Sequence, residues 1–256
     1  MFDELLPIVR NVRRRMRKNM GGLCRTKTRQ PGDYNKDSYW DERFYSTIRS
    51  DDDTNLGFNQ PLITAYHYAS LETAVILALS KCNKQSAEVL LDIGSGTGHW
   101  TNFFMKTYPK LKKAVLCDVS VKSFRYLQEK YASESRVTVH NVSAENIIHE
   151  DKYDIVCLIG CAFHIVRDEE IRLLFQALAD SLDAQGVIIF NDLLPSISHG
   201  IEFTPRGEIF KFVRSKQRWR KLAAAADLRV RFVTNYAWLR APAPIPEGHI
   251  VYLQKC

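Results

Sequence analysis

The sequence predicts an α/β protein built on a doubly wound, mostly parallel sheet, and three observations predict it. Strand-like apolar runs alternate with amphipathic helix-like runs through the middle of the chain. A glycine-rich bend, Gly94-Ser95-Gly96-Thr97-Gly98, separates the first of these strands from the next helix. Near the C-terminus two strand-like runs are joined by the turn APAPIPEG, too short for a parallel crossover, so that pair must be antiparallel.

The elements follow in order. A helix of about five turns runs from Pro61, with proline in the first turn, to about Ser80. Strands are expected at Glu88–Ile93, Ala114–Cys117, Arg136–His140, Asp154–Ile159 and Val187–Phe190. Helices between them are expected at Gly98–Tyr108, Val121–Ala132 and Arg167–Leu182, the last closed by Gly186. Then come an irregular insert (Leu193–Arg206), a helix near Ser215–Ala226, and strands Arg229–Leu239 and His249–Gln254. Residues 31–60 are polar and turn-rich yet enclose Tyr34, Tyr39, Trp40, Phe44 and Tyr45, aromatics that need a surface to bury against; this stretch reads as an N-terminal lid before the 61–256 domain.

Composition excludes several classes. With 45% hydrophobic and 25% charged residues, 12 Gly and 9 Pro in 256, the chain is neither collagen-like nor wholly disordered. No run approaches the ~18–20 apolar residues of a membrane span, and the start carries no secretory pattern, so a cytoplasmic protein is expected. Six cysteines without a Cys-x-x-Cys pair argue against a disulfide framework or zinc knuckle. Residues 1–30 hold nine Lys/Arg against two acids and so account for the whole net charge of +7. The neutral remainder offers no overall positive field for nucleic acid. Within that leader, Phe2, Leu5, Leu6, Val9, Val12, Met16 and Met20 recur at helical spacing among arginines. It reads as a basic amphipathic helix, either packed on its own domain or, through residues 1–20, in peripheral contact with a membrane or RNA.

The chemistry lies in VLLDIGSGTGHW (89–100). An apolar strand ends in Asp92, and glycines at 94, 96 and 98 let the chain turn and a ligand approach the backbone at a helix N-terminus. A dinucleotide fingerprint would need glycine at 99, where this chain has His99, and no Gly-Lys-Ser/Thr of a Walker loop follows. The acidic residue followed by G-x-G-x-G resembles the first motif of the class I S-adenosylmethionine-dependent methyltransferases. The order of later segments extends the resemblance over residues 61–256: AVLCDVS (114–120), VTVHNVSAENI (137–147), YDIVCLIGCAFHIVRDEE (153–170) and LDAQGVIIFNDLL (182–194). It implies a Rossmann-like seven-stranded sheet, S-adenosylmethionine as cofactor, and no metal. It further implies Gly94, Gly96 and Gly98 beneath the cofactor, Asp92 toward the methionine ammonium, and Asp118 with Val119 at the ribose. Ser143 and Ala144 would lie beside the adenine, with Ser143 replacing the acidic residue common there, and Gly160 at the rim. The block Tyr39–Phe44 resembles one that covers the cofactor in small-molecule methyltransferases, which puts Trp40 on the methionine arm and Arg43 near the cofactor carboxylate.

On the acceptor side, His164 follows the fourth strand, where an imidazole serves either as proton acceptor or as a packed helix-start residue. Asn191 and Asp192 end the fifth strand and are expected to face the same crevice, because open α/β sheets bind ligands beyond the carboxyl ends of their strands. Tyr39 and Phe203 complete the acceptor-side candidates. The Asn/Asp-Pro-Pro-aromatic block of base-methylating enzymes does not follow the fourth strand, which disfavours DNA. The expected function is methyl transfer to oxygen or nitrogen of a small molecule, such as a sugar, lipid-linked precursor or secondary metabolite. An RNA or other macromolecular methyltransferase recruited by the leader, and a non-catalytic cofactor-binding protein, are the alternatives.

Overall fold

The structure, a computed structural model, describes residues 36–47, 61–146, 152–194, 201–203, 211–236 and 248–256. The basic leader, the ends of the 31–60 segment, most of the insert after residue 194 and the proline-rich turn lie outside them. The unit Tyr34–Cys256 is compact. Its helices are α1 (Lys36–Thr47), α2 (Pro61–Lys81), α3 (His99–Thr107), α4 (Val121–Lys130), α5 (Asp168–Ser181) and α6 (Lys216–Ala224). Its strands are β1 (Val89–Ile93), β2 (Lys113–Asp118), β3 (Val137–Asn141), β4 (Tyr153–Leu158), β5 (Leu182–Asp192), β6 (Ile201–Phe203), β7 (Lys211–Val213), β8 (Leu228–Tyr236) and β9 (Gly248–Lys255).

Seven strands form one sheet in the order β3-β2-β1-β4-β5-β9-β8, the first five parallel and β9 antiparallel to both neighbours. This is the Rossmann-like arrangement expected from the sequence. Because side chains alternate across a strand, each inner strand feeds two cores. Leu91, Val156, Ile188 and Val251 pack on one face with α5 and α6 residues such as Phe175 and Trp219. Leu90, Ile155, Val187 and Ile250 pack on the other with Val75 of α2 and Phe104 of α3. Asp92 shares the face of Leu90, so its carboxylate is delivered to the start of α3.

Two expected outlines change. Helix α1 forms where the sequence reads as turn-rich, and β5 begins at Leu182, ahead of Gly186. The early start of β5 rests on a register shift: Leu182 opposes Tyr153, and pairing resumes at Ile155 with Val187. Gly186 fits inside the strand because an added Cβ would stand 2.7 Å from the Tyr153 carbonyl oxygen. Part of the insert is also regular, since β6 and β7 pair antiparallel.

Behind the carboxyl end of β5 sits a buried polar network. Arg214, fully buried, pairs through Nε with Asp168 at 2.7 Å and donates from Nη2 to the carbonyls of Ile165 (2.8 Å) and Val166 (3.1 Å). Arg218 reaches the other Asp168 oxygen. Asp192, also fully buried, accepts from Trp219 Nε1 at 2.7 Å and from the backbone of Leu193 and Arg214. Burial pushes its carboxyl up to about 6. Removing Asp168 would leave a buried guanidinium with carbonyl partners only. Asp168→Ala is therefore expected to destabilise the protein by about 2–3 kcal/mol in denaturant unfolding, less than the ~3–5 of a fully buried pair because Asp168 is about a third exposed.

Candidate active site

The bend after β1 is held from outside by α4. Ser123 Oγ donates to the Gly96 carbonyl (2.7 Å), Lys130 Nζ to that of Thr97 (2.9 Å) and Tyr131 Oη to that of Gly98 (3.1 Å). Gly94 and Ser95 donate their N–H groups to the Cys117 carbonyl at 2.8 and 3.1 Å, tying the bend to β2. Three successive carbonyls thus turn toward α4. Gly98 has φ of 78°, and a Cβ there would lie 2.6 Å from Tyr131 Oη. Across the bend, Gly160 has φ of 82° with open space where its Cβ would stand.

Two carboxylates end the adjacent strands. Asp92 is 1% exposed and accepts from Thr101 Oγ1 at 2.6 Å. Burial first, then the neighbouring Asp118 charge, push it up to about 6. Asp118, 8% exposed, accepts N–H groups from Gly96 (2.8 Å) and Ser120 (2.9 Å), and burial raises it too. Neither carboxylate meets a lysine or arginine in an ion pair among the described residues. Asn141 binds the carbonyls of Asp118 and Val119, both at 2.9 Å, and so fixes the exit of β2. Ser143 accepts from Asn146 in the turn after β3, and Ala144 beside it is buried.

The rim opposite follows β4. Gly160 donates its N–H to Asn191 Oδ1 at 2.6 Å, and a single 3-10 turn, Ala162–His164, follows. The His164 ring meets Trp40 edge-on at 4.8 Å, and Trp40 meets Tyr39 edge-on at 5.2 Å. Helix α1 is anchored by Asp41, whose Oδ1 accepts from Ser120 Oγ (2.5 Å) and the Lys122 N–H (3.2 Å), and by Phe44, buried against Tyr126. Trp40 and His164, distant in sequence, are thereby brought together. Arg43 lies on the same helix and Phe203 in β6, but both side chains fall outside the described residues.

The geometry corrects two expectations for the end of β5. Asn191 is 2% exposed and holds the Gly160 N–H, so it shapes the rim from behind. Asp192 faces the Trp219 and Arg214 network away from the crevice, because the strand's alternation turns the last residue inward. Sequence reasoning also missed Asp41, although it lies within the Tyr39–Phe44 block, and it missed Ser123, Lys130 and Tyr131, whose helical spacing says nothing about neighbouring carbonyls. His99 gains a role too: its ring stacks on Tyr68 at 3.7 Å with Nε2 2.9 Å from Glu72 Oε1. Burial, then Lys130 and Lys106, push it down to about 4. Among the described residues no cluster of three or more His, Cys, Asp or Glu is placed to hold a metal ion.

Residues 90–186 match the family model described as a methyltransferase domain. Among solved structures, a S-adenosylmethionine-dependent methyltransferase from Leishmania major aligns with TM-score 0.64 at 14% identity, covering 85% of this chain and 82% of that one. The DhpI–SAH complex aligns with TM-score 0.58 at 15% identity over 85% and 94%. The N-methyltransferase NodS from Bradyrhizobium japonicum WM9 aligns with TM-score 0.53 at 12% identity over 77% and 98%. No curated protein matches by sequence. The chain is thus similar to a methyltransferase domain over residues 90–186 and shares its fold with S-adenosylmethionine-dependent methyltransferases.

Placing a methyl at Gly98 forces Tyr131 or the bend to move and strains a left-handed backbone. Gly98→Ala is expected to cost about 1–3 kcal/mol of stability and to weaken cofactor binding by calorimetry, with the first loss smaller in a Gly98→Ala/Tyr131→Phe double variant.

Proposed function

We propose that the enzyme transfers the methyl group of S-adenosylmethionine to an oxygen or nitrogen of a small-molecule acceptor, of the kind of a sugar, lipid-linked precursor or secondary metabolite. The observation that carries this reading is a convergence around one bend: buried carboxylates without a cationic partner on one side, and Trp40 against His164 on the other. When bound, the cofactor supplies a methyl on a positively charged sulfur, already activated toward displacement. The residues fit such a cation: removing its charge from water beside Asp92 and Asp118 is favourable where no lysine or arginine competes.

Each residue then has a task. The glycine bend, its carbonyls drawn to α4, runs beneath the amino acid and ribose parts. Asp118 has lone pairs left for ribose hydroxyls after those spent on Gly96 and Ser120. Asp92, engaged with Thr101, acts on the cofactor's charge through space. Ser143 and Ala144 would flank the adenine, Val119 would lie with Asp118 at the ribose, and Gly160 leaves room at the rim. Trp40 would cover the methionine arm and exclude water. His164 accepts the proton from the acceptor's O–H or N–H as the new bond to the methyl carbon forms and the bond to sulfur breaks. The proton would then pass from His164 to solvent, with the cofactor's sulfur left as a neutral thioether. DhpI, also seen with S-adenosylmethionine and HEP, and NodS, an N-methyltransferase, agree in fold with this reading.

The direct test follows formation of the demethylated cofactor with a panel of hydroxyl and amine acceptors. Turnover only with RNA or protein would overturn the small-acceptor reading. His164→Asn is expected to lower kcat about 10²–10⁴-fold while leaving cofactor affinity within about twofold; a comparable loss of affinity would place the imidazole in binding instead.

The charge on Asp92 sets a pH dependence. A bound cation favours the carboxylate, so affinity for S-adenosylmethionine is expected to be flat above about pH 7, to halve near pH 6 and to fall about tenfold by pH 5. Asp92→Asn should remove that dependence. Since burial raises the folded-state pKa above the unfolded one, the ionised carboxylate opposes folding: its cost is absent below about pH 4 and complete above about 6. The ligand-free Asp92→Asn variant should therefore melt no lower than the parent at pH 7.5.

A further inference from the structure

The charge balance of the chain conceals a local excess. Between residues 211 and 233 stand eight Lys/Arg and a single acid, Asp227. Arg214 and Arg218 are spent on Asp168. Lys216, Arg220, Lys221, Arg229 and Arg231 form no ion pair with a carboxylate among the described residues, and all but the half-buried Lys216 are exposed. They surround β8, the outermost strand of the sheet. Lys216 and Arg220 lie over the Phe232 ring at 5.5 and 5.2 Å on the α6 side. Arg229 and Arg231 alternate with Val230 and Phe232 and so project to the α2 side, with Val233.

An apolar strip adjoins them. Helix α2 packs over β8 and β9. At 100° per residue, Tyr68 and Glu72 face α3, as their contacts with His99 show, and Tyr66 and Leu77 fall on the opposite flank, beyond β8. Tyr66 is 54% exposed and Leu77 46%, with Leu62 (85%) and Ile76 (52%) beside them on the outer surface. Exposed apolar side chains in such a group are uncommon unless something covers them.

We propose that this edge, α2, β8 and α6 together, is a docking surface for an anionic lipid bilayer. Charge complementarity selects the partner: arginines and lysines attract acidic headgroups, and the apolar strip enters the boundary between headgroups and acyl chains. A nucleic-acid backbone matches the cations but gives Leu62 and Leu77 nothing to bury against. No described helix is long and apolar enough to cross a membrane, so the contact is peripheral. Its residues are distinct in sequence from the N-terminal leader, and its occupancy does not depend on which acceptor is methylated.

The test is cosedimentation of the full chain with vesicles of phosphatidylcholine alone and with one-third phosphatidylserine. Binding is expected only to the acidic vesicles and to weaken with salt. Arg229→Glu/Arg231→Glu should weaken it at least tenfold, and Tyr66→Ser/Leu77→Ser should also weaken it, while both variants keep cofactor affinity and melting temperature. Equal binding to both vesicle types, or loss on reversing Arg13 and Arg14 of the leader but not the β8 pair, overturns the proposal. So does binding of labelled polyuridylate, in place of vesicles, that the β8 reversal abolishes. Self-association that Tyr66→Ser/Leu77→Ser abolishes without any vesicle binding assigns the surface to a second copy and equally overturns it.

Discussion

Two negative charges held out of water at the ends of neighbouring strands are the constraint on which this structure turns. A carboxylate in such a place ordinarily costs several kcal/mol unless something compensates it. Here the compensation is neutral and local: a threonine hydroxyl for Asp92, backbone N–H groups for Asp118. These donors fix the orientation of both groups while leaving their charge unmatched. The parallel pairing of β1 with β2 sets their proximity, and the same pairing ties the glycine bend to Cys117. Fold, bend and electrostatics are therefore one arrangement.

The opposite wall depends on a different economy of charge. Arg214 is compensated twice, by Asp168 and by carbonyls of the segment immediately after His164, and Asp192 completes the network through Trp219. This ties the strand β7 and helix α6 that follow the insert to the exit of β4. The rim around Gly160 and His164 is thus held from behind by Asn191 and Arg214, and from the front by Trp40. The two groups that hold it from behind are themselves buried.

Much of this was legible in the sequence, for identifiable reasons. Inner strands such as Asp154–Ile159 are continuous apolar runs because both faces are buried, and the glycines announce a bend that other residues resist. Asp92 and Asp118 stood out because each closes such a run. The end of β5 was misleading: Asn191 and Asp192 occupy the positions where ligands are usually met, but their partners, Gly160 and Trp219, lie about 30 residues away and leave no local trace. Helix α1 was hidden for a related reason. Its turn-rich composition is overridden by tertiary contacts, Asp41 with Ser120 and Phe44 with Tyr126. The basic edge was obscured by averaging, since an acidic surplus elsewhere cancels it in the net charge.

Asp41 gives the cover and the base of the crevice a common fastening. The first turn of α4 is capped by Ser120, and that serine's hydroxyl is itself held by Asp41, which also takes the Lys122 N–H. Lifting α1 strips these donors of their acceptor at the head of the same helix whose Ser123, Lys130 and Tyr131 steady the bend. The contact that seats α1 and the cap of the helix that steadies the bend are thus a single hydrogen-bonded unit, Asp41 to Ser120 to Ser123.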